Sequence, residues 1–210
     1  MRNLPLIVAL VLVVAACNLT DKFKKSGSLN SNSPSSSSGN PSKLGDDPVE
    51  QANPTAAQTA TLSNGQTVKW DQQGITLTFP ANWKKQEVRN ESFSYGGDGA
   101  FFTAAISTMP QMESLTDVSI KAMYEAAKTN QKIGKYDEVR WLELDGLRGV
   151  GFRESKQEMP GDIRRLEWQA YRTYAGSTQL VTMILSSDSG NFAKHQDELY
   201  AILYSTKLVK

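Results

Sequence analysis

Gly74-Ile75-Thr76-Leu77-Thr78-Phe79-Pro80-Ala81-Asn82-Trp83 is the stretch on which the fold turns. Side chains of a strand alternate between faces, so Ile75, Leu77 and Phe79 share one side and want cover, while Thr76 and Thr78 face the other way. Pro80 has no amide to donate and ends the strand, Asn82 suits a turn, and Trp83 follows as a large residue able to plug the edge of a core. Upstream, Thr67-Val68-Lys69-Trp70 alternates in the same sense and Asp71-Gln72-Gln73-Gly74 turns it back. The two runs predict a half-buried antiparallel pair, and the chain is expected to re-enter the sheet over residues 84–89.

Working toward the C-terminus, Gly96-Gly97-Asp98-Gly99 reads as a hairpin tip. The strand after it places Phe102, Ala104 and Ile106 on one side and Phe101 and Ala105 on the other, which predicts burial on both faces. Ser114-Leu115-Thr116-Asp117 opens a helix, with Ser114 as its cap. Val118, Ala122 and Ala126, flanked by Met123 and Ala127, form the small-residue stripe expected to lie on a sheet, and Gly134 marks the end. A hairpin follows, residues 139–144 and 147–154 around Asp145-Gly146, with Trp141 and Leu142 pointing to opposite faces. Residues 163–174 form the longest alternating run, with Leu166, Trp168, Ala170 and Tyr174 inward and a wet face of Arg165, Glu167, Gln169 and Thr173. Residues 178–185 read as a central strand covered on both sides. Phe192, Leu199, Ile202 and Leu203 recur at helical spacing, and residues 205–209 read as a short closing strand. Strands in runs with helices far apart predict an α+β fold: an αβα sandwich, one twisted antiparallel sheet with helices packed on it.

At the other end of the chain, Arg2 precedes an apolar run from Leu4 to Ala16 that closes on Val14-Ala15-Ala16-Cys17. A charged start, an apolar middle and small residues before the cut make a secretion signal, and the cysteine just after them turns the cut into a bacterial lipobox. As a helix, that run reaches only about 20 Å, short of the roughly 30 Å hydrocarbon core of a bilayer. Residues 1–16 are therefore expected to be a lipoprotein signal peptide and Cys17 the lipidated residue, bearing palmitate-type acyl chains. Residues 17–60, rich in Ser, Pro, Asn, Gly, Gln, Thr and Ala, are expected to form a disordered tether, and residues 61–210 a single domain.

Charge and residue inventory narrow the function. The 23 Lys and Arg against 22 Asp and Glu come into balance once Arg2 leaves with the signal, so no field recruits a nucleic acid. The local excess is Lys22, Lys24 and Lys25 beside the anchor, which reads equally as a set of contacts to anionic head groups or as part of a solvated linker. Cys17 is the only cysteine and His195 the only histidine. No disulfide, cofactor or histidine- or cysteine-based metal centre is expected. The sequence lacks a Gly-x-Ser-x-Gly elbow, Asp197 lies two residues from His195 and so points elsewhere, and His195 is expected to be a partly exposed structural residue. Asp188-Ser189-Gly190-Asn191 lacks the spaced carboxylates of a calcium loop and reads as a helix-opening turn. No catalytic or metal residue is assigned, and the protein is not expected to be an enzyme.

The strand and corner at residues 74–83, the helix opening at Ser114-Leu115-Thr116-Asp117, the turn Leu144-Asp145-Gly146 leading into Gly151-Phe152-Arg153-Glu154, and the closing strand-helix-strand resemble the PsbP-like family. That family includes the extrinsic subunit of the oxygen-evolving complex and bacterial lipoproteins of the DcrB-like group. The resemblance spans residues 61–210 and implies an αβα sandwich with a non-enzymatic accessory role. It transfers no functional residue, because no metal or docking motif of the photosynthetic members matches here. The resulting expectation is a membrane-anchored lipoprotein of the cell envelope, facing the periplasm or the exterior, that binds or helps assemble another envelope component: an envelope protein, or a small hydrophobic or polymeric ligand. The alternative is a structural envelope lipoprotein without a specific ligand. Asn18 stands where some Gram-negative bacteria place an aspartate for inner-membrane retention, which favours the outer membrane.

Overall fold

The computed structural model describes residues 47–109 and 116–209. Within them β2 (Gln66–Trp70) and β3 (Ile75–Phe79) form the antiparallel pair, with Trp70 opposite Ile75 and Gln66 opposite Phe79. Gly74 closes the connection in the left-handed region at φ 57°, a conformation open to glycine at little cost. The short β11 (Lys207–Leu208) adds to the other edge of β3. This makes a separate three-stranded sheet, β11-β3-β2, where one sheet was expected. With both edges of β3 occupied, the chain has to leave it. Pro80 ends the strand, the Trp83 amide donates back to the Pro80 carbonyl at 3.0 Å, and β4 (Lys84–Val88) enters a second, larger sheet.

That sheet contains eight strands in the order β1-β7-β8-β9-β10-β6-β5-β4. They are β1 (Val49–Gln51), β5 (Ser92–Gly97), β6 (Ala100–Thr108), β7 (Tyr136–Leu144), β8 (Leu147–Glu154), β9 (Ile163–Tyr174) and β10 (Ser177–Asp188), with β4 at one edge. All neighbours are antiparallel except β1, which runs parallel to β7. Three hairpins close on residue pairs with positive φ, Asp98-Gly99, Asp145-Gly146 and Ala175-Gly176. That backbone matches the right-handed twist of the flanking strands.

The sheet has unequal faces. On one lie β2, β3 and α3 (Phe192–Tyr204), and between them Leu77, Phe79, Phe102, Trp168, Met183, Leu199 and Ile202 make the main core. Phe79 sits among Tyr95, Phe102 and Trp83 at ring-centre distances of 4.5, 5.3 and 5.7 Å. On the opposite face α2 (Thr116–Lys132) sets Ile120, Tyr124 and Ala127 on Val139, Trp141, Val150 and Phe152, a smaller second core. Trp141 and Leu142 thus serve different cores, as their parity predicts. The architecture is α+β, with helices on both faces of a mostly antiparallel sheet.

Three expectations change. The folded part starts earlier than Thr61: β1 pairs with β7, and α1 (Ala56–Thr61) packs near α3, both inside the stretch read as tether. Composition hid them because their residues are mostly small or polar, yet Thr55 and Gln58 form a capping box that holds the helix start. The tether before residue 47, the signal and Cys17 lie outside the described residues, as does the Ser114 cap. Second, α2 is rotated about its axis relative to the predicted stripe: Ile120 and Tyr124 face the sheet while Val118, Ala122 and Ala126 are exposed. The larger apolar pair gains more by burial than three small residues do. Third, Phe101, Ala105, Leu180 and Ile184 stay at least partly exposed, since among the described residues the helix on this face, α2, rests on β7, β8 and β9.

Candidate interaction surface

The half of the sheet left uncovered among the described residues is built from cross-strand rows. Phe152 is opposite Glu167, which is opposite Ile184, then Thr103, then Ser94. The adjacent row runs Val150, Gln169, Thr182, Ala105, Ser92. In both rows the residue under α2 is buried, and those on β10, β6 and β5 are partly exposed. A further row sets Arg165, Ser186 and Phe101 side by side, with Phe101 48% exposed. This face is therefore made of short hydroxyl residues and aliphatics with an aromatic ring at one margin. Glu167 stands at its border with α2. Burial and then the nearby Glu154 push its carboxyl above the ordinary range, against the hydrogen bond from Gln169.

The residues singled out in the sequence fall elsewhere. Trp83 is 1% exposed; its indole donates to Glu198 Oε1 at 2.9 Å, its ring stacks on Phe79, and the Gln66 amide holds its carbonyl at 2.7 Å. The corner thus bridges the small sheet to α3, as the spacing predicts. His195 is buried rather than partly exposed, with Nδ1 3.8 Å from the same Glu198 oxygen. The carboxylate beside it is three residues along the helix, on the same face, and it is Glu198 and not Asp197. Asp188 accepts from the Asn191 backbone and side chain at 2.9 Å each, so this segment is the helix-opening turn expected. Among the described residues no group of His, Cys, Asp or Glu is placed to hold a metal ion.

Arg172 was passed over in the sequence although its parity with Trp168 and Ala170 turns it inward. It is 8% exposed, donates to the Gln179 side chain at 3.1 Å and the Gln73 carbonyl at 2.7 Å, and lies over the Tyr174 ring at 4.4 Å. Burial lowers its affinity for its proton. Gln73 in turn donates to the Asn90 carbonyl at 2.6 Å, and the cluster closes one end of the main core with polar groups. Along α3 a second polar seam runs Glu50, Arg140, Glu138, Arg153, Asp137, Arg164 with alternating charge. Tyr200 donates to Glu138 at 2.7 Å. Its hydroxyl is held protonated well above its ordinary range, first by burial and then by Glu138. Carboxylates and guanidiniums balance along this seam, and Tyr200 and Tyr204 join α3 to it through hydrogen bonds with Glu138 and Arg140. A groove of about 400 Å³ lined by Asn130, Lys135, Tyr136, Glu154 and Gln157 is open to solvent and polar in character.

No family model and no curated protein matches the sequence. Solved structures do. The solution structure of cyanobacterial PsbP (CyanoP) from Synechocystis matches 69% of this chain and 92% of its own, at 15% identity and TM-score 0.48. LpqN of Mycobacterium tuberculosis, described as involved in cell envelope biogenesis, matches 70% of this chain and 91% of its own at 12% identity and TM-score 0.48. A Bacteroides thetaiotaomicron structure matches 65% of this chain at 13% identity and TM-score 0.42, and the present chain spans only 46% of it. One of these similar structures is thus a PsbP, and none of them transfers a residue or an activity to this chain.

Proposed function

We propose that this chain is a bacterial envelope lipoprotein, held by lipid on Cys17, whose PsbP-like domain is a non-catalytic module that binds or helps assemble another envelope protein. The outer membrane is the favoured site. The observation that carries the binding role is the bare half of the sheet. Among the described residues a single helix, α2, covers β7 to β9, and the strands beyond it keep Phe101, Leu180 and Ile184 partly in water. A partner that covered these groups would bury the apolar surface each still exposes, which stabilises by part of the about 1.5–3 kcal/mol that full burial of such a side chain gives. That supports the binding role over the purely structural alternative.

The test is site-specific photo-crosslinking of the full chain in living cells. A photoreactive residue at Thr103, in the middle of the bare face, is expected to trap one discrete protein adduct. The same residue at Lys69, exposed on the small sheet, is expected to trap none. Adducts equally abundant at both positions, or none at Thr103, would leave the structural alternative standing.

A further inference from the structure

α2 carries two apolar faces and only one is used. Ile120, Tyr124 and Ala127 go to the sheet. At about 100° per residue, Val118, Ala122, Ala126, Thr129 and Ile133 fall within an arc of roughly 80° on the opposite side. All five are exposed, and the two large ones strongly so, Val118 at 65% and Ile133 at 63%. Lys121, Lys128 and Lys132 line one flank of this arc and Lys135 follows its end, against Asp117 and Glu125. Lys128 leans over the Tyr124 ring with Nζ 5.9 Å from its centre.

The position of this helix relative to the N-terminal chain gives the second half of the argument. The Tyr124 hydroxyl, on α2, donates to the Asp47 carboxylate, and Glu50 pairs with Arg140 at 2.7 Å. The segment that leads back to Cys17 therefore leaves the domain beside α2. On the anchor reading, Lys22, Lys24 and Lys25 sit at the membrane end of that segment. Roughly 30 residues of polar tether would keep the domain at an effective concentration near the millimolar range at the lipid surface. At that concentration a weak contact is enough.

We infer that the outward face of α2 is a docking surface for an anionic lipid membrane, with Val118, Ala122, Ala126 and Ile133 against the head-group boundary and the lysines on lipid phosphates. This rests on the lipoprotein reading and adds an orientation to it. Interfacial helices of this kind combine a modest apolar stripe with flanking lysines. With α2 on the lipid, the bare strands face the bilayer across about one helix diameter, about 10 Å, so the partner they meet is one that lies at the membrane.

The test uses the full lipidated chain. With the Cys17 sulfur committed to the anchor, Thr129→Cys carries the free thiol for a fluorophore inside the exposed arc, and Ser63→Cys, on a different exposed segment, carries the control. Each is bound to phosphatidylcholine vesicles with or without phosphatidylglycerol, containing lipid spin-labelled at the head group. On anionic vesicles the Thr129 probe is expected to be quenched several-fold more than the Ser63 probe. Lys121→Glu with Lys132→Glu should remove most of that difference, since each lysine near an anionic surface shifts the docked ratio roughly fivefold. Failure to float with vesicles would overturn the anchor and the docking together. Flotation with equal quenching at both positions would overturn the docking alone, as would quenching indifferent to the charge reversal. Protection of the Thr129 probe in native envelopes but not on vesicles would assign the face to a protein and also overturn it.

Discussion

Replacing Trp83 by Ala tests the corner from which the fold departs. The ring is 1% exposed, stacked 5.7 Å from Phe79, and laid on Gly97 so closely that a Cβ there would come within 2.7 Å of its Cδ1. Removing a buried aromatic costs about 3–5 kcal/mol. The upper end is expected here, because the change also strips a donor from Glu198, whose carboxyl burial already holds above its ordinary range while Trp83 and His195 pull it back. For a domain of this size each kcal/mol moves the melting temperature by about 2–4 °C, so at about 5 kcal/mol Trp83→Ala is expected to melt roughly 10–20 °C lower. Trp83→Phe keeps the stacking and loses the hydrogen bond to a charged acceptor, worth about 1.5–3 kcal/mol. Thermal melts of the full chain followed by circular dichroism give both values. A Trp83→Ala protein with an unchanged melt and lost partner crosslinking would refute this reasoning and make the corner a binding surface.

Gly149→Ala is expected to be at least as damaging, because its Cβ would lie 2.6 Å from the Gln169 carbonyl oxygen and from the Trp168 ring; the same melts check it. Limited proteolysis of the full chain should yield a resistant fragment beginning near Asp47, since β1 and α1 are paired and packed; a fragment beginning at Thr61 would show that they are not held. Glu167→Gln should raise stability at neutral pH. A carboxyl whose folded pKa lies above its unfolded one binds its proton more readily when folded, so stability falls as pH rises through that window and the full penalty persists above it. The gain should vanish as pH drops below the ordinary carboxylate range, and an equal gain at both ends would reject desolvation as the cause.

The strands were legible wherever alternation met a turn signal. Ile75-Leu77-Phe79, the Asp145-Gly146 hairpin and the Leu166-Trp168-Ala170 run all lie where period and turn chemistry place them. Partition into two sheets was not legible, because the run before Pro80 reads the same whichever strand pairs with it. Helix orientation failed for a definite reason. In α2 both sides are apolar enough to bury, and the larger pair, Ile120 and Tyr124, is the one packed on the sheet, with Tyr124 stacked 4.4 Å from Trp141, a contact across strands that helical spacing cannot show. The candidate surface was hidden for the same reason: alternation cannot say that α2 stops at β9, so Leu180 and Ile184 read as covered. His195 shows a smaller version of this limit. Its place beside Phe192 suggested a margin, and only packing of α3 against the corner buries it.

The account stands first on Cys17. Metabolic labelling with an acyl analogue, followed by membrane fractionation of the full chain and of Cys17→Ser, tests that footing directly. The expected result is a labelled, membrane-bound mature protein and an unlabelled Cys17→Ser form that is left uncleaved or soluble, since a lipoprotein's acyl chains together hold far more firmly than the marginal binding of one. Unchanged labelling and fractionation after Cys17→Ser would contradict the anchor, and with it the envelope function and the membrane-facing orientation of α2.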